Sequence, residues 1–156
     1  ISPEIKQALA ENTPIVALES TIITHGFPHP QNLEIAHQLQ QKIRSNGCIP
    51  ATCAFIKGVP HVGLSPGPIE YLAGQIGVKK ISLRDIGPTM ALKMNGGTKI
   101  AGAIILAHMA GTPVFATGGL AGVHRDEHVT INVSAGLTRL ARTPVPVVCS
   151  GPKLLV

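Results

Sequence analysis

Short apolar runs alternate along the chain with segments whose apolar residues recur every three or four positions. The apolar runs predict strands at 15–18, 51–56, 80–83, 113–116 and 145–149. The helical spacing predicts helices at 2–13, 32–46 and 65–76, and further helices that begin after 85, 98 and 134. Because strands and helices alternate, we predict a single α/β domain over 1–156, with a largely parallel sheet flanked by helices on both faces. This is a three-layer α/β/α architecture.

The first predicted strand carries the strongest candidate for chemistry. Residues 15–18 are apolar, Ile22 and Ile23 continue the run, and Glu19 interrupts it. A carboxylate at the end of a buried strand loses hydration, and open α/β sheets bind their ligands at such strand ends. Two interpretations stay open at this point. Glu19 either belongs to a functional site, or it simply lies at the solvated end of the strand or caps the loop Ser20-Thr21.

Composition and charge limit the classes of function. The chain is 44% hydrophobic and 13% charged, with three Phe, one Tyr and no Trp, which indicates a globular protein with an aliphatic core. The formal net charge is +5, yet Lys79-Lys80 is the only adjacent basic pair. A nucleic-acid groove is poorly supported without a basic run or aromatic stacking surface. Anionic small molecules remain open as partners.

The number and spacing of the cysteines and the length of the longest apolar stretch bear on where in the cell the protein is found. Cys48, Cys53 and Cys149 are odd in number and lack zinc-like spacing, so we expect free thiols in a reducing compartment and a cytoplasmic protein. Residues 100–111 form the longest apolar stretch, which is too short to span a bilayer. The chain begins at Ile1, and only a short apolar tail follows the last predicted strand. We therefore expect a fragment cut after that strand, and an organelle stays open as its location.

Lys153 follows the last predicted strand and a Gly-Pro turn. A poorly hydrated lysine can act as a nucleophile and form Schiff bases, although an exposed surface lysine is the simpler interpretation.

The glycine-rich loop at 117–122 could bind phosphate through backbone amides, or it could be a structural turn. A nicotinamide site would need an acidic residue about 20 positions further on, and residues 137–143 contain none.

Other charged and histidine positions are ambiguous. Lys80 with Arg84 and Asp85 could hold an anionic substrate, or Arg84 and Asp85 could form an ordinary solvated ion pair. Two histidine pairs have the four-residue spacing of helical metal ligands: His25 with His29, and His124 with His128. Pro28 interrupts the helix that the first pair would need, and the second pair lies in a polar loop. A metal site is therefore disfavoured for both.

Taken together, these stretches closely resemble the pseudouridine-5′-phosphate glycosidases, also called pseudouridylate synthases. The matching motifs are VALESTIITHG (16–26), PAT (50–52), KISLRDI (80–86), KMNGGT (93–98), FATGGLAGVHR (115–125), INVSA (131–135) and VVCSGPK (147–153). They follow the family order and correspond to roughly the N-terminal half of a family member. The resemblance implies reversible cleavage of pseudouridine 5′-phosphate into uracil and ribose 5-phosphate, with manganese as cofactor and a homotrimer as the assembly.

The resemblance also implies roles for individual residues. Lys153 matches the nucleophile that attacks the ribose anomeric carbon and forms a ring-opened imine-type adduct. Glu19 matches the proton donor, which must be protonated to act and so suits a poorly hydrated strand end. The family's substrate-binding positions correspond to Lys80, Ile100, Ser134, Ala135 and Gly136.

Several positions depart from the family pattern. Asn132 replaces the metal-binding aspartate of a DISAD pattern, and Gly136 replaces its second aspartate. A neutral amide oxygen can ligate a hard cation but supplies no charge, so a weaker manganese site is expected. Leu83 stands where an arginine is usual, and Lys99 where a threonine is common. A second hypothesis is therefore a truncated, non-catalytic homologue that binds sugar phosphate or only self-assembles.

Overall fold

The computed structural model describes residues 1–120 and 135–152 of the chain. The helices are α1 (Pro3–Ala10), α2 (Gln31–Arg44), α3 (Pro66–Ala73), α4 (Ile86–Ala91), α5 (Ile100–Met109) and α6 (Ala135–Leu140). The strands are β1 (Ile15–Leu18), β2 (Ile49–Ile56), β3 (Val59–Val62), β4 (Lys79–Ile81), β5 (Gly96–Thr98), β6 (Val114–Ala116), β7 (Gly119–Leu120), β8 (Val147–Val148) and β9 (Gly151–Pro152). Within these ranges, no helix has both the length and the hydropathy that crossing a membrane requires.

The main sheet is largely parallel, as predicted. Its strand order is β4-β5-β2-β1-β6-β8, and β3 pairs with β2 outside this path. β1 pairs in parallel with β2 and β6, β6 with β8, and β4 with β5. The antiparallel pairings among the described strands are those of β2 with β3 and of β2 with β5. β7 and β9 form a separate two-stranded parallel ribbon.

Helices cover both faces of the sheet, which confirms the three-layer α/β/α prediction. Cys53 and Phe55 of β2 belong to a core cluster that they share with α1 and α5. Ala54, which lies between them, belongs to a second cluster with α2 and α3. Successive side chains of a strand point to opposite faces of the sheet, so these two clusters lie on opposite sides.

Strand β5 differs from what the sequence pattern predicts, which is that the helix beginning after Asp85 breaks at Asn95-Gly-Gly97. Gly96 and Gly97 are buried in the sheet instead. A Cβ atom on Gly96 would clash with the Ile81 side chain, and one on Gly97 would clash with Thr24. The glycines are therefore required by close packing around a strand and do not mark a loop.

The first strand ends at Leu18, as predicted, although the apolar run continues beyond Glu19. Ile22 and Ile23 lie in a π-helical turn that spans Ile22–Gly26. The backbone amides of Ile23 and Thr24 donate to the Ser20 carbonyl oxygen at 3.0 and 3.2 Å. The chain thus turns immediately after Glu19, which leaves the carboxyl group at the end of β1.

The buried face of α2 also differs from prediction. The helical spacing puts Leu39 on one apolar stripe with Leu33, Ala36 and Ile43, which predicts that Leu39 is buried. In the structure Leu39 is 38% exposed, whereas Asn32 and Gln40 are buried. Gln40 Nε2 donates to Thr52 Oγ1 and to the Leu64 carbonyl oxygen, each at 3.2 Å. Polar side chains are buried where they have such partners. The face of α2 that carries two amides therefore packs inward, and Leu39 is left at the surface.

Candidate active site

Glu19 lies immediately after β1, half-buried at the carboxyl edge of the sheet. Its Oε2 atom accepts a hydrogen bond from Thr21 Oγ1 at 2.6 Å, and its Oε1 atom accepts one from Thr117 Oγ1. Thr117 directly follows β6, which pairs in parallel with β1. The strand register therefore holds the carboxylate between one threonine of its own loop and one from the neighbouring strand end.

A cavity of about 250 Å³ opens beside this carboxylate. It is lined by Leu18, Glu19, Ile22, Leu39, Ala116, Thr117 and Gly118. Most of these side chains are apolar, with Glu19 and Thr117 as the polar exceptions. A concave, mainly apolar site with a few convergent polar groups at the carboxyl ends of parallel strands is typical of a ligand site.

The strand next to β6 brings a third strand end to this edge. The Thr117 amide donates to the Val148 carbonyl oxygen, and the Ser150 amide donates to the Gly118 carbonyl oxygen, each at 3.0 Å. Gly151 of β9 then pairs with Gly119 of β7. Lys153 follows β9 directly in sequence and itself lies outside the described residues.

Lys80 lies on β4, which is at the opposite edge of the strand order from β8. A group of basic side chains is found there. Desolvation, followed by the nearby charges of Lys80 and Lys99, lowers the pKa of His25, and a hydrogen bond to the Val78 backbone opposes this effect. Lys80, Lys99 and His25 are exposed. The three side chains therefore share one electrostatic environment that favours an anion.

Ile100 is the first residue of α5, and Lys99 is the N-cap of that helix without a capping side chain. The first backbone amides of a helix have no intrahelical acceptor and carry a partial positive charge. The predicted substrate-binding positions Lys80 and Ile100 are thus linked through the sheet, because the Lys99 amide donates to the Ile81 carbonyl oxygen at 2.8 Å.

Asp85 has a structural role in the ambiguous Arg84-Asp85 pair. Asp85 Oδ2 accepts from the Ser82 amide at 2.9 Å and completes a capping box at the start of the 3-10 turn Leu83–Asp85. Arg84 Nε lies 3.9 Å from Asp85 Oδ1, and its side chain is 92% exposed. A pair of this kind contributes little to stability, which favours the solvated ion-pair interpretation.

The remaining predicted positions fall in or beside the undescribed segments. Asn132, Ser134, Lys153 and the pair His124 and His128 lie outside the described residues. Ala135 and Gly136 begin α6, and Gly119 of the glycine-rich loop lies in β7. In residues 1–120 and 135–152, no three His, Cys, Asp or Glu side chains come together as a metal site would require.

The contact with Thr21 agrees with the interpretation that Glu19 caps the loop after β1, but sequence reasoning did not identify Thr117 as a partner of Glu19. The signal available for Thr117 was its position directly after an apolar run, which matches the position of Glu19. Without the strand order, nothing indicated that these two strand ends are neighbours. The buried Ser20 and Thr98, which lie beside the site, were missed for the same reason.

Comparison with known proteins gives a consistent picture. The sequence profile of the family described as Indigoidine synthase A like protein matches residues 4–156. The chain is 50% identical to Pseudouridine-5′-phosphate glycosidase 2 of Photorhabdus laumondii over 100% of its own length and 50% of the relative's length. It is 52% identical to the Pseudouridine-5′-phosphate glycosidase of Hahella chejuensis, covering 100% of the chain and 52% of that protein. The chain thus spans about half the length of the curated relatives it matches.

Solved structures agree with the fold. The prealnumycin C-glycosynthase AlnA, solved in complex with ribulose 5-phosphate, superposes with a TM-score of 0.87 at 41% identity over 97% of this chain and 49% of that protein. An indigoidine synthase A (IdgA)-like protein from Thermotoga maritima superposes with a TM-score of 0.81 at 28% identity, over 91% of this chain and 47% of the other.

Proposed function

Because the chain belongs to the family of Indigoidine synthase A like proteins, with pseudouridine-5′-phosphate glycosidases among its relatives, we propose that it takes part in the reversible cleavage of pseudouridine 5′-phosphate. The products are uracil and ribose 5-phosphate. The observation that carries this proposal is the Glu19 carboxyl group, held by two threonine hydroxyls beside a cavity at the carboxyl edge of a parallel sheet.

The contacts of Glu19 suit a group that gains and loses a proton. A threonine hydroxyl can donate a hydrogen bond to a carboxylate or accept one from a carboxylic acid. Thr21 and Thr117 can therefore keep the Glu19 carboxyl group in one position in both of its protonation states. A general acid that stays in place after it has given up its proton can be reprotonated for the next turnover.

In the proposed reaction the Lys153 amine attacks the anomeric carbon, and the bond from that carbon to the ring oxygen opens. Glu19 supplies the proton that the released ring oxygen needs. The ring-opened adduct is joined to Lys153 by a carbon–nitrogen single bond. When the carbon–carbon bond to the base breaks, the departing uracil carbon keeps the electron pair and takes up a proton, while the nitrogen lone pair forms the imine-type bond. Water then hydrolyses the imine and releases ribose 5-phosphate and the free Lys153 amine. The role of Lys153 rests on the family motif, and that of Glu19 rests on both the motif and the contacts described above.

We place the phosphate group at the cationic edge formed by Lys80 and Lys99, beside His25. An anion there would meet two ammonium groups and the free amides at the start of α5. Neutral His25 can still offer a ring nitrogen for hydrogen bonding, while Thr24 Oγ1 lies 2.6 Å from its Nδ1 atom. The ribose and the base would then extend from this edge towards Glu19 and the apolar cavity.

Manganese is part of the proposal only through Asn132. The described residues contain no cluster of three His, Cys, Asp or Glu side chains, so they do not form a manganese site by themselves. None of the steps above is derived through the metal. Manganese binding measured by calorimetry, with and without Asn132→Asp, tests this assignment directly, and tighter binding in the variant is the expected result.

The first test is uracil release from pseudouridine 5′-phosphate by the whole protein in the presence of manganese. We expect Glu19→Gln to lower kcat by about 10²–10⁴-fold, the usual contribution of a general acid. Lys153→Ala should abolish turnover. Glu34→Gln, at an exposed position on α2, is the matched control and should leave kcat unchanged. Activity that is insensitive to both Glu19 and Lys153 would refute the mechanism.

A binding assay separates the enzyme from a non-catalytic homologue. Lys80→Ala should weaken ribose 5-phosphate binding by about tenfold, the size of one lost charged hydrogen bond. Lys42→Ala, an exposed lysine on α2, should leave the dissociation constant unchanged. A folded protein that binds ribose 5-phosphate through Lys80 but releases no uracil would support the non-catalytic hypothesis and contradict the proposed reaction.

A second candidate is synthesis of a carbon–carbon glycosidic bond to a base other than uracil. The 41% identity to a C-glycosynthase whose structure was solved with ribulose 5-phosphate favours it. The reverse assay distinguishes the two activities. Incubation of ribose 5-phosphate with uracil should give pseudouridine 5′-phosphate if the first proposal is right.

A further inference from the structure

The ends of β1 and β5 meet the middle of β2 at a buried cluster of hydroxyl groups next to Glu19. Strand β2 pairs with β1 as far as Thr52 and with β5 from Ala54 onwards. Cys53 lies between these two pairings, where the neighbouring strand changes. Its carbonyl oxygen accepts hydrogen bonds from Ser20 Oγ at 2.7 Å and from Thr98 Oγ1 at 2.6 Å. Two side chains thus satisfy a buried carbonyl group at the change of partner.

Ser20 and Thr98 are also bonded directly to each other. The Ser20 amide donates to the Thr98 carbonyl oxygen at 3.2 Å, and the Thr98 amide donates to Ser20 Oγ at 2.9 Å. Their hydroxyl oxygens lie 3.3 Å apart. Both residues are 0% exposed, so neither hydroxyl is available to a substrate. We call these contacts, together with those to Cys53, the Ser20–Thr98 bridge.

The bridge joins the two halves of the proposed site. Ser20 follows Glu19 directly, and Thr98 is the last residue of β5 before Lys99 and the start of α5. Thr98 also pairs with Ile81, the residue after Lys80. Glu19 is therefore adjacent in sequence to Ser20, and Lys99 is adjacent to Thr98. Lys80 is connected to Thr98 through the pairing of β4 with β5.

We propose that Ser20 and Thr98 are positioning residues that fix the distance between the acid, Glu19, and the phosphate-binding edge around Lys80 and Lys99. The inference rests on the function proposed above. A substrate anchored by its phosphate group presents its ribose at a distance set by its own covalent length. Proton transfer then depends on the carboxyl group being within hydrogen-bond reach of the ribose, and a small displacement lowers the rate without weakening phosphate binding.

Thr98→Val is the variant that isolates the bridge. Valine has nearly the shape of threonine and removes only the hydroxyl group. The Cys53 carbonyl oxygen keeps its bond from Ser20 Oγ, and the Thr98 backbone amide keeps Ser20 Oγ as acceptor. No buried polar group loses its last partner, so the variant is expected to fold. Ser20→Ala would leave that amide without its acceptor and is less informative.

The chain offers a matched control at Thr112. This threonine is 2% exposed, and among the described residues its Oγ1 atom has no hydrogen-bond partner. Thr112→Val is therefore the same chemical change at an equally buried position outside the bridge. Thr98→Ser retains the hydroxyl group and serves as the rescue variant. Thr98→Ala removes the hydroxyl and the methyl group together, so the result does not depend on one substitution.

The kinetic test compares kcat with KM for pseudouridine 5′-phosphate. Thr98→Val and Thr98→Ala should lower kcat by about tenfold or more and leave KM within about twofold, because positioning acts on the reacting geometry. Thr98→Ser should restore most of kcat, and Thr112→Val should change neither constant. An unchanged kcat in Thr98→Val, or an equal loss in Thr98→Ser, would overturn the proposal.

Amide hydrogen exchange tests the bridge without any need for turnover. In Thr98→Val the segments 19–24 and 98–102 should exchange faster together, by about tenfold, while the Thr112→Val pattern matches the wild type. If acceleration were confined to 98–102, the bridge would not position Glu19 and the inference would fail. Absence of uracil release together with coupled exchange would refute the proposed function and leave the structural bridge established.

Discussion

Asn32 on α2 makes buried hydrogen bonds that tie three segments of the fold together. It is 4% exposed, and its Nδ2 atom donates to the Ile23 carbonyl oxygen at 2.7 Å and to the Ala73 carbonyl oxygen at 3.0 Å. Its Oδ1 atom accepts from the Leu33 amide at 2.9 Å. One side chain thus links the turn after Glu19, the start of α2 and the end of α3.

Asn32→Ala should be strongly destabilising. The substitution removes the donor to two carbonyl oxygens, and a buried polar group that loses its partner costs about 1–3 kcal/mol. With some relaxation and entry of water, we expect the free energy of unfolding to fall by about 2–4 kcal/mol. This is a large part of the stability of about 5–15 kcal/mol typical of a folded protein.

Urea unfolding followed by far-ultraviolet circular dichroism measures this loss, because the chain has no tryptophan to report by fluorescence. Asn46→Ala is the control, since Asn46 is exposed and its Nδ2 atom donates to the carbonyl oxygen of Lys42 at 2.7 Å, within its own helix end. The control should change the free energy of unfolding by less than about 0.5 kcal/mol. An Asn32→Ala protein as stable as this control would show that the buried amide contributes nothing.

Three further predictions follow from packing and electrostatics. Gly97→Ala should destabilise by about 1–3 kcal/mol in the same assay because the new methyl group clashes with Thr24, whereas Gly67→Ala, which has open space, should not. Burial raises the pKa of the Cys53 thiol to about 12, so iodoacetamide at pH 8 should modify the less buried cysteines and spare Cys53; early labelling of Cys53 would contradict its burial. The lowered pKa of His25 means that its neutral form is favoured, so its contribution to stability is present above the unfolded value of 6.5 and is lost as the pH falls through the folded value. In an NMR titration Lys80→Ala should raise the pKa of His25, and an unchanged midpoint would place the two side chains apart.

Local pattern alone was sufficient for much of the fold. The alternation of apolar runs and helical stripes predicted the α/β class, the parallel sheet and the position of Glu19 at the end of β1. These features depend on interactions between residues close in sequence, or on whether a segment is apolar on one face or two. The family motifs added Lys80 and Ile100, which the structure places on β4 and at the start of α5.

Only the tertiary structure decided which strand ends meet. The contact between Glu19 and Thr117 spans 98 positions, and the Ser20–Thr98 bridge spans 78. Both depend on strand order and register, which distant pairings determine and which no local pattern encodes. The antiparallel pairing of β2 with β5 and the inward face of α2 were missed for the same reason. From sequence alone, Gly96 and Gly97 predict a helix break, and Asn32 and Gln40 predict surface positions. Their buried positions become clear only when the residues that pack against them or bond to them are known.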